Sequence, residues 1–127
     1  MKAYTDIEQS KKLAEILPIE SADMRYEAYY VSPKEGIIEY ENHPHFAKCI
    51  ENCIPCWSLA ALLELLPDKL VINDTVCIID IYSYDDSKHI TYVNVDELGE
   101  TIMGFSGESY VDAAFEMVVW LKENNYI

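Results

Sequence analysis

The sequence predicts an α+β fold: a three-stranded antiparallel meander packed against a central apolar helix, an N-terminal helix and a C-terminal helix, in a single domain over residues 1–127. Three observations predict it. Apolar residues recur at helical spacing near both ends of the chain, which marks amphipathic helices. Between Thr75 and Phe105, three runs rich in β-branched and aromatic residues are separated by short turns, the pattern of sequential antiparallel strands. Midway along the chain, the stretch IPCWSLAALLELLP (Ile54–Pro67) carries a single charge, Glu64, and its leucines cover most of a helical wheel.

Taken in order, Thr5-Asp6-Ile7-Glu8 reads as a capping box, with the Thr5 hydroxyl as the cap. The helix it starts places Ile7, Ser10, Leu13, Ala14, Ile16 and Leu17 on one half of the wheel and ends at Pro18. Met24–Val31 reads as a strand, Ser32-Pro33-Lys34-Glu35-Gly36 as a turn, and Ile37–Tyr40 as a short return strand. Asn42-His43-Pro44-His45 breaks regular structure. The central helix then runs to Pro67, too short for a bilayer, which needs about 20 apolar residues. Within Thr75–Tyr84, the alternation assigns Cys77, Ile79 and Ile81 to the core face. Ile90–Val95 and Thr101–Phe105 complete the meander, the last weakened by Gly104. Ser109-Tyr110-Val111-Asp112 opens a helix to about Asn124, with Tyr110, Ala114, Met117 and Leu121 in its apolar row. Asn124-Asn125 suits its C-cap, and Tyr126-Ile127 is expected to fold back on the body.

Composition narrows the function. Asp and Glu number 23 against 9 Lys and Arg, a formal net charge of −14, so phosphate backbones and anionic membranes repel this chain. We expect no direct nucleic-acid binding, no membrane, and a protein partner with a basic surface. The sharpest form of that expectation is mimicry of DNA by a carboxylate stripe; the bland reading is that the charge keeps a small domain soluble. The first dozen residues are polar and charged and contain no apolar h-region, so the expected location is the cytoplasm and the four cysteines are expected as thiols or metal ligands rather than disulfides.

The blocks TDIEQSKKLAEILPIESADMRY, IPCWSLAALLELLP and DAAFEMVVWLKENNYI resemble a group of small bacterial proteins associated with prophages and other mobile elements. The resemblance covers under half the chain and brings no activity, cofactor or catalytic residue. It implies an intracellular accessory protein acting on a host or phage component.

Chemistry-bearing residues concentrate in one segment. His43, His45, Cys49, Cys53 and Cys56 are five soft-metal ligand types within fourteen residues. Their spacing lacks the second well-spaced pair of a structural zinc site, so no cofactor is expected and zinc on this set is the alternative. Cys53-Ile54-Pro55-Cys56 also reads as a dithiol before a helix, where the dipole would activate a thiolate, but no βαβ context surrounds it. Ser58 reads as a helix cap rather than a nucleophile, Asp80 as a half-exposed strand residue, and His89 as exposed. Tyr26, Tyr29, Tyr30 and Tyr40 lie among Glu27, Glu35, Glu39 and Glu41. Tyrosine couples a large apolar body to a polar tip, so Tyr26, Tyr29, Tyr30, Glu39 and Tyr40 are the candidate interaction surface; the bland reading is that these tyrosines cover sheet and helix edges. The reading as a whole is a non-enzymatic interaction protein, with a zinc or thiol-redox protein centred on Cys53 and Cys56 as the alternative.

Overall fold

Turn chemistry divides the chain into two sheets. The computed structural model describes residues 2–127, which form three α-helices, a three-stranded sheet and a four-stranded sheet, all strand pairs antiparallel. The α+β class predicted from the sequence holds; the number and grouping of strands differ. The chain falls into two compact units, residues 3–61 and residues 62–127 together with Lys2.

In the first unit, helix α1 (Ile7–Ile16) leads through a short 3-10 turn (Ile19–Ser21) to strands β1 (Met24–Ser32), β2 (Ile37–Tyr40) and β3 (Cys53–Cys56), in sheet order β2-β1-β3. The expected hairpin is present, with Val31 opposite Ile38 and Ala28 opposite Tyr40, and a bulge between Ala28 and Tyr30. Gly36 sits at φ +68°, the left-handed geometry that glycine adopts without a Cβ penalty. The cap of α1 is Asp6 rather than Thr5. Asp6 Oδ1 accepts from the Gln9 amide at 2.8 Å, and Gln9 Oε1 accepts from the Asp6 amide at 3.1 Å. Thr5 is held elsewhere: fully buried, it bonds Trp57 through both backbone and hydroxyl (2.9 and 3.1 Å), and its Oγ1 lies 2.8 Å from the buried Ser10 Oγ. The core beside it is Met24, Tyr26, Ile54 and Cys56, flanked by Tyr4, Ile7 and Tyr40.

β3 corrects the reading of Cys53–Cys56 as the approach to a helix. These residues pair with β1, Arg25 opposite Pro55 and Tyr26 opposite Ile54. Proline is tolerated there because β3 is an edge strand whose outer side needs no amide donor. Helix α2 is therefore short, Leu59–Glu64, and the chain passes from the first unit to the second within it. Ser58 does cap it, its Oγ accepting from the Ala61 amide at 3.2 Å. Ala61 and Leu62 are buried, Leu59 and Leu63 only half so, and Ala60 is exposed, so the helix is not covered on all sides as its composition predicted.

The second unit holds β4 (Lys69–Ile72), β5 (Thr75–Tyr84), β6 (Ser87–Asn94), β7 (Glu97–Gly107) and helix α3 (Tyr110–Glu123), with sheet order β4-β5-β6-β7. The predicted meander thus gains a strand. β4 turns into β5 through Asn73-Asp74, and β5 into β6 through Asp85-Asp86; all four residues have positive φ, the geometry of two-residue type I′ hairpins. α3 packs on β6 and β7. It buries Val111, Ala113, Ala114, Met117, Val118 and Leu121, is capped by Ser109, and ends with Tyr126 stacked on Trp120 at 5.3 Å, the expected fold-back. On β6, Ile90, Thr91, Tyr92 and Val93 are all buried. Gly104 faces Thr91 across the ladder, where an added Cβ would come within 2.6 Å of Thr91 Cγ2, so the glycine is a fit to a buried partner. The core face of β5 stops short of expectation: Cys77 is buried, but Ile81 is 42% exposed. Asp80 is exposed, whereas His89 is half-buried and stacked on Tyr82 at 4.8 Å. Among the described residues, no helix is long and apolar enough to cross a membrane.

Candidate functional site

The hairpin β1–β2 has two halves. Near Met24 its apolar side chains are buried in the first unit's core, with Met24 and Tyr26 at 3% and 2% exposure. Past the bulge both faces open to solvent. Val31 and Ile38 form one exposed cross-strand pair, Tyr30 stands opposite Glu39, and Ile37 opposite Ser32. Tyr29, the extra residue of the bulge, is 63% exposed and donates from its hydroxyl to Glu39 Oε2 at 2.5 Å. That bond to a carboxylate holds the Tyr29 phenol above its ordinary pKa. Glu35 and Glu39 have no ion-pair partner among the described residues. β2 is also a sheet edge, with a ladder partner on one side only.

Of the expected interaction residues, Tyr29, Tyr30 and Glu39 are on this surface and Tyr40 is half-buried. Tyr26 is not on it. Its hydroxyl donates to the Thr5 carbonyl at 2.7 Å inside the core, and burial pushes its pKa far up. Alternation along β1 separates Tyr26 from Glu27, and burial rather than residue type decides between core and surface. Where β1 meets β3 an open depression of about 270 Å³ is lined by Arg25, Glu27, Ala28, Val31, Glu51, Asn52 and Cys53. Arg25 is committed there to Glu27, through Nε at 2.9 Å and Nη2 at 2.6 Å, and to the Lys48 carbonyl at 2.9 Å.

The cysteine reading needs correction. Cys49 and Cys53 form a disulfide rather than free thiols. Asn52, at φ 49°, turns the chain back just before β3 and brings the two Cα atoms to 5.9 Å. The structure does not bring Cys53 and Cys56 together. Three steps along a strand separate them by about 10 Å and put them on opposite faces. Cys56 is fully buried, donates to the Thr5 carbonyl at 3.4 Å, and burial raises its thiol pKa, the reverse of an activated nucleophile. Cys77 is the second free and buried cysteine. Ser58 is equally structural: its Oγ donates to Asp23, and Asp23 also accepts from the Ser58 amide at 2.9 Å.

The two histidines of the proposed metal set do meet, but with a carboxylate instead of the cysteines. Glu41, His43 and His45 present ligand atoms that all lie within 4.8 Å of one another. Glu41 Oε2 is 2.8 Å from His45 Nε2 and 3.8 Å from His43 Nε2, and the two rings are 5.4 Å apart. The His45 contact first, then the charge of both imidazoles, holds the Glu41 carboxyl below its ordinary pKa. Glu41 stands outside the sequence-based set because that set holds only His and Cys, the ligand types of structural zinc sites. The signal was present in the alternating Glu-x-His-x-His of residues 41–45.

Comparison with known protein families, with curated proteins and with solved structures finds no match for this chain. The fold and the hairpin surface therefore carry the functional reading.

Proposed function

We propose that the protein is a non-enzymatic interaction protein, an accessory of the mobile-element kind its sequence blocks resemble, and that the outer half of the β1–β2 hairpin docks a basic segment of a protein partner. The observation that supports this most is the two-sided exposure of Tyr29, Tyr30, Val31, Ile37 and Ile38 on one hairpin. Large apolar side chains clustered on a surface and rimmed by charge mark interaction sites. Here the rim is acidic, with Glu35 and Glu39 unneutralised and Glu51 at the adjoining depression, where Glu27 is already paired with Arg25. A partner strand could add to the open edge of β2, its apolar side chains meeting Ile38 and Val31. A lysine or arginine beside it would lay its aliphatic stem along Ala28 and Val31 with its charge at Glu51. A chain of charge −14 adds long-range attraction for such a segment.

The test is a differential capture from a bacterial host lysate with immobilised wild-type protein and the variant Tyr29→Ser/Tyr30→Ser/Ile37→Ser, whose folding is checked by circular dichroism. A basic protein retained by the wild type, lost on the folded variant and released by salt supports the reading. The same proteins retained on both would overturn it.

A further inference from the structure

The segment leaving β2 carries a second site that does not depend on the docking surface. The geometry points to Glu41, His43 and His45 as a binding site for a divalent transition metal, zinc foremost, with two imidazoles and one carboxylate as protein ligands and water in the remaining position. Two imidazole nitrogens with one carboxylate oxygen are a ligand set that zinc accepts, and the preference of imidazole excludes magnesium and calcium as the natural occupants.

The distances are those of a site that closes with small side-chain rotations. Zinc–nitrogen and zinc–oxygen bonds of about 2.1 Å in a tetrahedron place neighbouring ligand atoms about 3.4 Å apart. Glu41 Oε2 and His45 Nε2 would open from 2.8 Å, and Glu41 Oε2 and His43 Nε2 would close from 3.8 Å. The third pair lies within 4.8 Å at the outset. Each adjustment is on the order of one ångström, and the side chains involved are exposed enough to make it.

The backbone that carries the ligands is already fixed. The Glu41 amide donates to the Glu27 carbonyl at 2.8 Å, extending the β1–β2 ladder by one residue. His45 and Arg25 exchange both backbone bonds, 2.9 and 2.8 Å, so His45 is pinned to the same edge of β1, two residues along from the Glu27 that holds Glu41. Between them Pro44 restricts the chain. His43 is oriented by its neighbour: Nδ1 lies 3.1 Å from Asn42 Oδ1, so an Nδ1–H donated to that amide leaves the Nε2 lone pair facing Glu41. A second hydrogen bond of this kind is the usual partner of a metal-bound imidazole. A simple Glu–His ion pair between Glu41 and His45 requires neither His43 nor its orientation by Asn42, which is what separates the two readings.

The experiment is a zinc titration of the whole chain against a chromophoric chelator, with and without a thiol reductant. The expected result is one zinc ion per chain in both conditions. His43→Ala and Glu41→Gln should each weaken binding by roughly ten-fold or more. Cys49→Ser/Cys53→Ser and His89→Ala should leave it unchanged. Proton NMR of the imidazoles then reports the same site without reference to affinity: zinc should shift the ring signals of His43 and His45 and leave those of His89 in place. Absence of binding, binding unaffected by His43→Ala, or binding that appears only on reduction and vanishes with Cys49→Ser/Cys53→Ser would overturn the assignment.

Discussion

Strands β1 and β6 are built from similar residues and meet different fates. β1 reads MRYEAYYVS and β6 SKHITYVN, both rich in aromatic and β-branched side chains. On β6, four consecutive residues from Ile90 to Val93 are buried, and α3 lays an apolar face on β6 and β7. On β1, burial ends at Tyr26, and Tyr29, Tyr30 and Val31 stand in solvent. Strand propensity is equal in the two; cover is not. Where a chain leaves such a strand uncovered on both faces, the apolar content serves something other than its own stability.

That contrast sets the order of the expected mutational effects. Leu121→Ala, which empties part of the apolar face covering β6 and β7, should cost about 2–5 kcal/mol in urea unfolding. Tyr30→Ala, at a site 47% exposed, should stay within about 0.5 kcal/mol. Equal costs at the two positions would mean that the hairpin's outer half is structural after all.

Alkaline pH sharpens the comparison between the buried parts of the two units. Burial raises the phenol pKa of Tyr26 in one unit and of Tyr92 in the other, well above the ordinary 10.0. The unfolded chain releases these protons near its ordinary value while the folded chain retains them. Their stabilising contribution is therefore complete below about pH 10 and is lost as pH rises towards the folded values. Stability should fall above pH 10 by about 1.4 kcal/mol per pH unit for each tyrosine, and Tyr26→Phe or Tyr92→Phe should each remove its own share of the slope. A smaller effect is expected at the bridge: Cys49→Ser opens a ring of few residues, which is worth about 2 kcal/mol in the chain-entropy account, and should leave the β1–β2 hairpin amides as protected as before.

What could be read from the sequence followed the range of the interactions. The β1–β2 hairpin and the last three strands were legible because Ser32-Pro33-Lys34-Glu35-Gly36 and Asp85-Asp86 specify turns locally. Helix α3 was legible from Ser109 to its end near Asn124, again a local pattern. β3 was not, because Cys-Ile-Pro-Cys becomes a strand only by pairing with Met24–Glu27 some thirty residues earlier. Its helix-like neighbourhood and its proline pointed the other way. β4 was missed for a simpler reason: Asn73-Asp74 is a type I′ turn, and Lys69–Ile72 is too short to show a period of its own. Thr5 was misplaced by one position because a buried hydroxyl network competes with capping for the same side chain. At the candidate sites, the exposed tyrosines and the two histidines were visible as residue types. Their division into core Tyr26 and surface Tyr29 and Tyr30, and the arrival of Glu41 beside the histidines, required the bulge and the register of β1 with β2.

The central claim is that the outer half of β1–β2 is a docking surface. The most direct measurement is backbone amide NMR of the isotopically labelled chain, free and with the partner captured in the lysate experiment. The account predicts chemical-shift changes concentrated in residues 28–41, with Ile90–Val93 unmoved. Changes confined to the four-stranded sheet, with residues 28–41 silent, would contradict it.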